Sequence, residues 1–98
     1  MRDHNAARND IGSYQLVTGT VQRVAMTRRM IYLNFGWNWR EDFTVAISRR
    51  DAKAFETAGV DIAAYEGRRI RVRGWIERNN GPMIRARGPG QIELLNAD

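Results

Sequence analysis

The chain of 98 residues has no cysteine. That absence excludes disulfides, thiolate metal sites and cysteine nucleophiles, and it leaves the compartment open because exported domains also can lack cysteine. Histidine occurs once, as His4 in a polar stretch. It is a poor general base or metal ligand there, and no Ser-His-Asp arrangement can be built around it. Asp and Glu form no cluster that could supply the several hard oxygen ligands of a divalent cation, so neither a metal nor another cofactor is expected. No apolar run approaches the roughly 18 residues of a membrane span, and a membrane is not an expected partner. Residues 1–13 are polar, without the apolar stretch of a secretory signal, and read as a disordered leader. Cytoplasm is the default location.

What is present belongs to one folded domain, residues 14–98. A chain of this length buries somewhat over about 60% of its unfolded surface, enough for one core and too little for two. Hydrophobic residues make up 43% and charged residues 28%, the balance of a folded domain. Arginine supplies 15 of the 16 basic residues and is clustered. Residues 1–40 hold six Arg against two Asp, a surplus of +4; residues 41–67 sum to −3; residues 68–98 return to +4. Genome composition also could explain the preference for Arg over Lys, but not its clustering. The guanidinium fork bonds phosphate in a bidentate way and stacks on flat rings, which suits nucleic acid.

Hydrophobic alternation gives the architecture. Residues 14–26 are rich in Val, Thr and Leu, with Gly19 where a strand would bend at a barrel corner. In residues 30–35, Ile31, Leu33 and Phe35 lie on one face, and Tyr32 and Asn34 on the other. After the polar turn 36–42, Phe43, Val45 and Ile47 alternate with Thr44, Ala46 and Ser48. Pairing Leu33 with Val45 and Ile31 with Ile47 keeps every large apolar side chain on one face. Ser48 with Asp51 three residues on predicts a helix cap, and Gly59 a stop after about ten residues. Residues 61–66 add a short turn. In residues 68–78, Ile70, Val72, Gly74 and Ile76 oppose Arg69, Arg71, Arg73, Trp75 and Glu77. Residues 79–82 turn the chain into strand five, residues 83–87 and 91–95, interrupted by Gly88-Pro89-Gly90. That parity places Trp75 opposite Arg85 or Arg87 as a cation–π pair. Three strands, a helix and two strands predict an all-β fold, a five-stranded Greek-key barrel of the oligonucleotide/oligosaccharide-binding kind with one helix between strands three and four.

Gly19-Thr20-Val21, Tyr32-Leu33-Asn34-Phe35-Gly36, Trp39-Arg40-Glu41-Asp42-Phe43-Thr44-Val45, Gly67, Val72-Arg73-Gly74-Trp75-Ile76 and Gly81-Pro82 carry a resemblance. Over residues 14–95 the chain resembles the non-catalytic carboxyl-terminal barrel of bacterial proteins of the micrococcal (thermo)nuclease-like family. The resemblance implies an oligonucleotide-binding fold and association with nucleic-acid metabolism. It does not imply cleavage: where that family's active barrel has Asp-Gly-Asp-Thr, this chain has Ala25-Met26-Thr27-Arg28-Arg29, and the later Asp-Thr-Pro-Glu is missing. No enzyme is expected.

Basic and aromatic residues together form the candidate site. Tyr32, Asn34 and Thr44, on the outer face of strands two and three, offer stacking and hydrogen bonding. Arg28 and Arg29 in one loop, and Arg78 and Asn79 in another, flank that face; Arg73 and Trp75 on strand four complete the set. Each has a plainer reading: Tyr32 as an ordinary outward tyrosine, the arginines at 69, 71 and 73 as a solvated row, and Trp37 and Trp39 as caps on the open end of the barrel. The expected function is sequence-tolerant binding of nucleic acid, single strands favoured, by a monomer accessory to nuclease-type proteins. The alternative is a protein-interaction barrel that docks on a nuclease domain or self-associates.

Overall fold

The computed structural model describes residues 1–38 and 40–95, and these form eight strands and one α-helix. The strands are β1 (Arg2–Asp3), β2 (Tyr14–Thr20), β3 (Arg23–Met26), β4 (Met30–Asn34), β5 (Thr44–Ser48), β6 (Arg69–Asn79), β7 (Gly81–Arg85) and β8 (Ile92–Leu94); helix α1 (Arg49–Thr57) lies between β5 and β6. Pairing runs β1-β2-β6-β7-β5-β4-β3, and β8 pairs with β6. The β4–β5 register is the one that alternation predicts, with Ile31 opposite Ile47 and Leu33 opposite Val45. β7 runs parallel to β5, with Thr44 beside Met83 and Val45 beside Ile84. The inward residues of these strands join Val17, Val21, Phe35, Phe43, Ile70, Val72 and Ile76 in one buried cluster.

The stretch expected as strand one is two strands. Val21 still bonds to Arg68 through its N–H (2.9 Å) and accepts from Gly67 (2.8 Å), whereas the Gln22 N–H donates to Asn34 (2.8 Å). The chain therefore leaves β6 and joins β4 at the Val21–Gln22 corner, wrapping the sheet into a barrel-like form. The Glu66 carboxylate accepts from Val24 N–H at 2.8 Å just beyond this corner. Gly19 is needed for space instead of the bend: a Cβ there would lie 2.5 Å from His4 Cδ2 and 2.8 Å from Phe35 Cδ2.

Those contacts correct the expectation of a disordered leader. Arg2 pairs in parallel with Val17, residues His4–Asn9 form a 3-10 turn, Ala7 is fully buried, and the His4 ring packs on Phe35 at 5.6 Å between centroids. A polar composition concealed the one small apolar side chain and the one imidazole face that dock.

The helix follows its capping residues. Ser48 Oγ accepts from Asp51 N–H (3.0 Å), and Asp51 places negative charge in the first turn, where the free N–H groups favour it. At the other end Gly59 adopts a φ of 75°, while Val60 N–H bonds Phe55 C=O and Gly59 N–H bonds Glu56 C=O. This double closure satisfies the last carbonyls and stops the helix. α1 buries Phe55 alone among its side chains, and the following 3-10 turn, Ile62–Tyr65, adds Ile62 and Tyr65. No helix among the described residues is long and apolar enough to cross a membrane.

Two further expectations change. Strand five is split: β7 pairs with β5 and β6, the 3-10 turn Pro89–Gln91 redirects the chain, and β8 returns to β6. Gln91 fastens this junction, its Nε2 donating to the carbonyls of Arg73 and Arg85 (both 3.0 Å) and its Oε1 accepting from Arg87 N–H (2.8 Å). Trp75 does not meet Arg85 or Arg87. β6 pairs with β7 only from Ile76 onward and with β2 before it, so Trp75 sits opposite Tyr14, edge to face at 5.8 Å.

Candidate functional site

The pleat sends Arg23 and Ala25 of β3, Tyr32 and Asn34 of β4, Thr44 and Ala46 of β5, and Met83 and Arg85 of β7 to the side away from the core. Register lines them up in rows: Arg23, Asn34, Thr44 and Met83 across one line, Ala25, Tyr32, Ala46 and Arg85 across the next. The outer face is therefore set by the same ladder that aligns Leu33 with Val45 inside. Between the first row and the β6–β7 turn lies a hollow of about 310 Å³, lined by Arg23, Ala25, Tyr32, Asn34, Thr44, Asn79, Asn80 and Met83.

Several of its polar groups keep hydrogen-bonding capacity unused. Thr44 Oγ1 donates to Asn34 Oδ1 at 3.2 Å, and the Asn34 amide NH₂ has no partner among the described residues. Asn79 Nδ2 meets only the soft acceptor Met83 Sδ, at 3.8 Å. Asn80 takes the left-handed conformation (φ 66°) that closes the turn and brings it to the rim. The turn is pinned because Gly81 lies against the β4–β5 loop; a Cβ there would be 2.6 Å from Asp42 C=O and 2.7 Å from Glu41 C=O. Arg23 places a guanidinium on the same rim.

The opposite end of the face is strongly basic. The turn carrying Arg28 and Arg29 is closed by Thr27 and Met30 and clamped by Arg49, whose guanidinium donates twice to Thr27 C=O (2.9 and 3.1 Å). Arg49 N–H donates to Arg29 C=O at 3.0 Å. Beside it, a second hollow of about 430 Å³ is lined by Ala46, Ser48, Arg50, Asp51, Arg85 and Arg87.

Of the nine residues the sequence nominated, the structure gathers Tyr32, Asn34, Thr44 and Asn79 in the first hollow and sets Arg28 and Arg29 at the far end of the same face. Three lie elsewhere. Arg78 alternates to the side of the hairpin opposite Asn79. Arg73 and Trp75 are on the outer face of the β2–β6 ladder, where Arg73 donates to Gly90 C=O at 2.7 Å. Neighbouring Arg71 is held by Glu93 at 2.8 Å, so the row at 69, 71 and 73 is partly committed to the protein itself. Sequence reasoning missed Arg23, Arg50, Arg85 and Arg87. Arg23 was legible by parity with Ala25; the other three depend on β7 lying beside β5. Trp37 does not cap the barrel, being 79% exposed, and Trp39 lies outside the described residues. Among the described residues, no three His, Asp or Glu side chains come together as metal ligands.

No family model matches this chain, and no curated protein matches it. Among solved structures it is similar to OBody AM1L10 bound to hen egg-white lysozyme, with 18% identity over 91% of this chain and 85% of that chain and a TM-score of 0.59. At that identity the likeness is one of fold: β-rich and barrel-like.

Proposed function

We propose that the chain is a five-stranded Greek-key barrel of the oligonucleotide/oligosaccharide-binding kind, in which β2 and β3 together are the first strand, and that it binds single-stranded nucleic acid on the outer face of β4 and β5. One observation carries this reading. A hollow of about 310 Å³ places the Tyr32 ring, a guanidinium from Arg23 and the amides of Asn34 and Asn79 around one space. A base stacked on Tyr32 gains roughly 1–3 kcal/mol, and Arg23 answers the phosphate beside it. The hollow offers a stacking ring, amides and a cation, a set that suits a single strand in a sequence-tolerant mode. The module binds without chemistry. An accessory role beside a nuclease domain rests on the family resemblance of residues 14–95 alone.

The test is fluorescence anisotropy with labelled single- and double-stranded oligonucleotides at about 50 and 200 mM salt, where phosphate contacts make affinity fall with salt. Tyr32→Ala is expected to weaken single-strand binding about 5- to 150-fold, the equivalent of losing one stacked base, while Tyr32→Phe stays close to wild type. Absence of binding by the wild-type protein at low salt would refute the proposal.

A protein-docking role has an observation of its own. Trp75 and Tyr14 stack on the far face at 62% and 53% exposure, beside exposed Leu16. Sedimentation over a range of concentrations would then reveal self-association that Trp75→Ala abolishes; a monomer throughout removes the self-associating form of this reading.

A further inference from the structure

The basic hollow at the far end of the face is not part of the Tyr32 site, and its composition is unusual. Three guanidiniums, Arg50, Arg85 and Arg87, line it against a single carboxylate, Asp51. Arg50 and Arg87 have no side-chain partner among the described residues, and Arg85 has only the Glu77 pair at 3.5 Å, with both partners nearly half exposed. A pair of that kind is worth little and yields readily to a better anion. The arginines are nonetheless held in place. Gln91 fixes the backbones of Arg85 and Arg87 through both ends of its amide, and Ser48 caps the helix whose first turn carries Arg50.

The hollow lies on the same sheet face as the first one. Buried Ala46 stands between Tyr32 of the first hollow and Arg85 of the second in the cross-strand row, so the two are neighbours across adjoining strands. From Thr44 to Ser48 the strand advances about 13 Å, at roughly 3.3 Å per residue. A stacked single strand advances about 3.4 Å per nucleotide, so about four nucleotides cover both hollows.

We propose that Arg50, Arg85 and Arg87 form a phosphodiester subsite that receives the backbone of the same strand whose base stacks on Tyr32, giving the interface a basic end and a base-holding end. This rests on the nucleic-acid reading above and extends it to how the strand lies. Arg50 and Arg87 carry the test, because their guanidiniums make no hydrogen bond or ion pair among the described residues.

The experiment measures the salt dependence of binding to a labelled oligothymidylate of about 12 nucleotides by anisotropy. Wild type is compared with Arg50→Gln/Arg87→Gln and with Arg68→Gln/Arg69→Gln, which removes the same charge at the start of β6 from residues that line neither hollow. The subsite predicts that the slope of log affinity against log salt becomes shallower by about 0.7 to 1.4 in the first variant, one or two phosphate contacts, and stays near wild type in the second. A wild-type slope in the first variant, or an equal loss in both, overturns the subsite and leaves the Tyr32 interface standing. Failure of the wild-type protein to bind at low salt overturns the nucleic-acid reading and the subsite with it.

Discussion

Gly81→Ala tests how the fold builds the first hollow. Gly81 opens β7 directly after the Asn79–Asn80 turn, and a Cβ there would approach Asp42 C=O to 2.6 Å and Glu41 C=O to 2.7 Å. Ordinary contact begins near 3.4 Å, so the turn must retreat by about 0.8 Å, and the opposing atoms are backbone that cannot rotate aside. Overpacking of this kind costs about 1–3 kcal/mol. For a domain of this size that lowers Tm by roughly 4–24 °C, measured by circular dichroism or calorimetry. The retreat also draws Asn79 and Asn80 off the rim, so oligonucleotide affinity falls in the folded protein at temperatures well below its Tm. Gly88→Ala is the control: its backbone is extended and nothing lies within 4 Å of an added Cβ, so its Tm stays within a few degrees of wild type. A Gly81→Ala protein with the wild-type Tm and wild-type affinity would refute the reasoning.

Phe55→Ala removes the one helix side chain that is fully buried, and chemical denaturation should register a loss of about 3–5 kcal/mol, without a change in folded-state register by NMR. Burial pushes the Tyr65 phenol above its usual value of 10.0, because the site disfavours the phenolate. A folded-state pKa above the unfolded one means that this stability is fully present below about pH 10 and is lost as pH rises toward the folded-state pKa. Tyr65→Phe should accordingly show a smaller decline in unfolding free energy between neutral pH and about pH 11 than wild type; equal declines would contradict the assignment.

The parts of the fold readable in the sequence are those governed by local chemistry. Ile31, Leu33, Val45 and Ile47 announce their shared face through alternation, and Ser48, Asp51 and Gly59 announce where α1 begins and ends. The parts that were not readable depend on chain segments meeting from a distance. Trp75 faces Tyr14 because β6 changes partners at Ile76, a switch that leaves no mark in the pattern of residues 69–79. Ala7 and His4 look like pieces of a polar leader until Gly19 and Phe35 provide their seat. The same holds at the site. Tyr32, Asn34 and Thr44 were identifiable as outward residues of adjoining strands and Asn79 as a residue of a flanking loop, but Arg85 and Arg87 join Arg50 only through the parallel β5–β7 pairing. Gln91, which holds those two arginines, has no local signature at all.

One surface carries the proposed function, and the direct test is to map it. In a titration of ¹⁵N-labelled protein with a short single-stranded oligonucleotide, backbone shifts should concentrate at Arg23–Met26, Met30–Asn34, Thr44–Ser48, Asn79, Asn80 and Met83, with the side-chain amides of Asn34 and Asn79 among the largest. Shifts centred instead on Tyr14, Leu16 and Trp75, or no shifts at low salt, would contradict the claim that the outer face of β4 and β5 is a nucleic-acid interface.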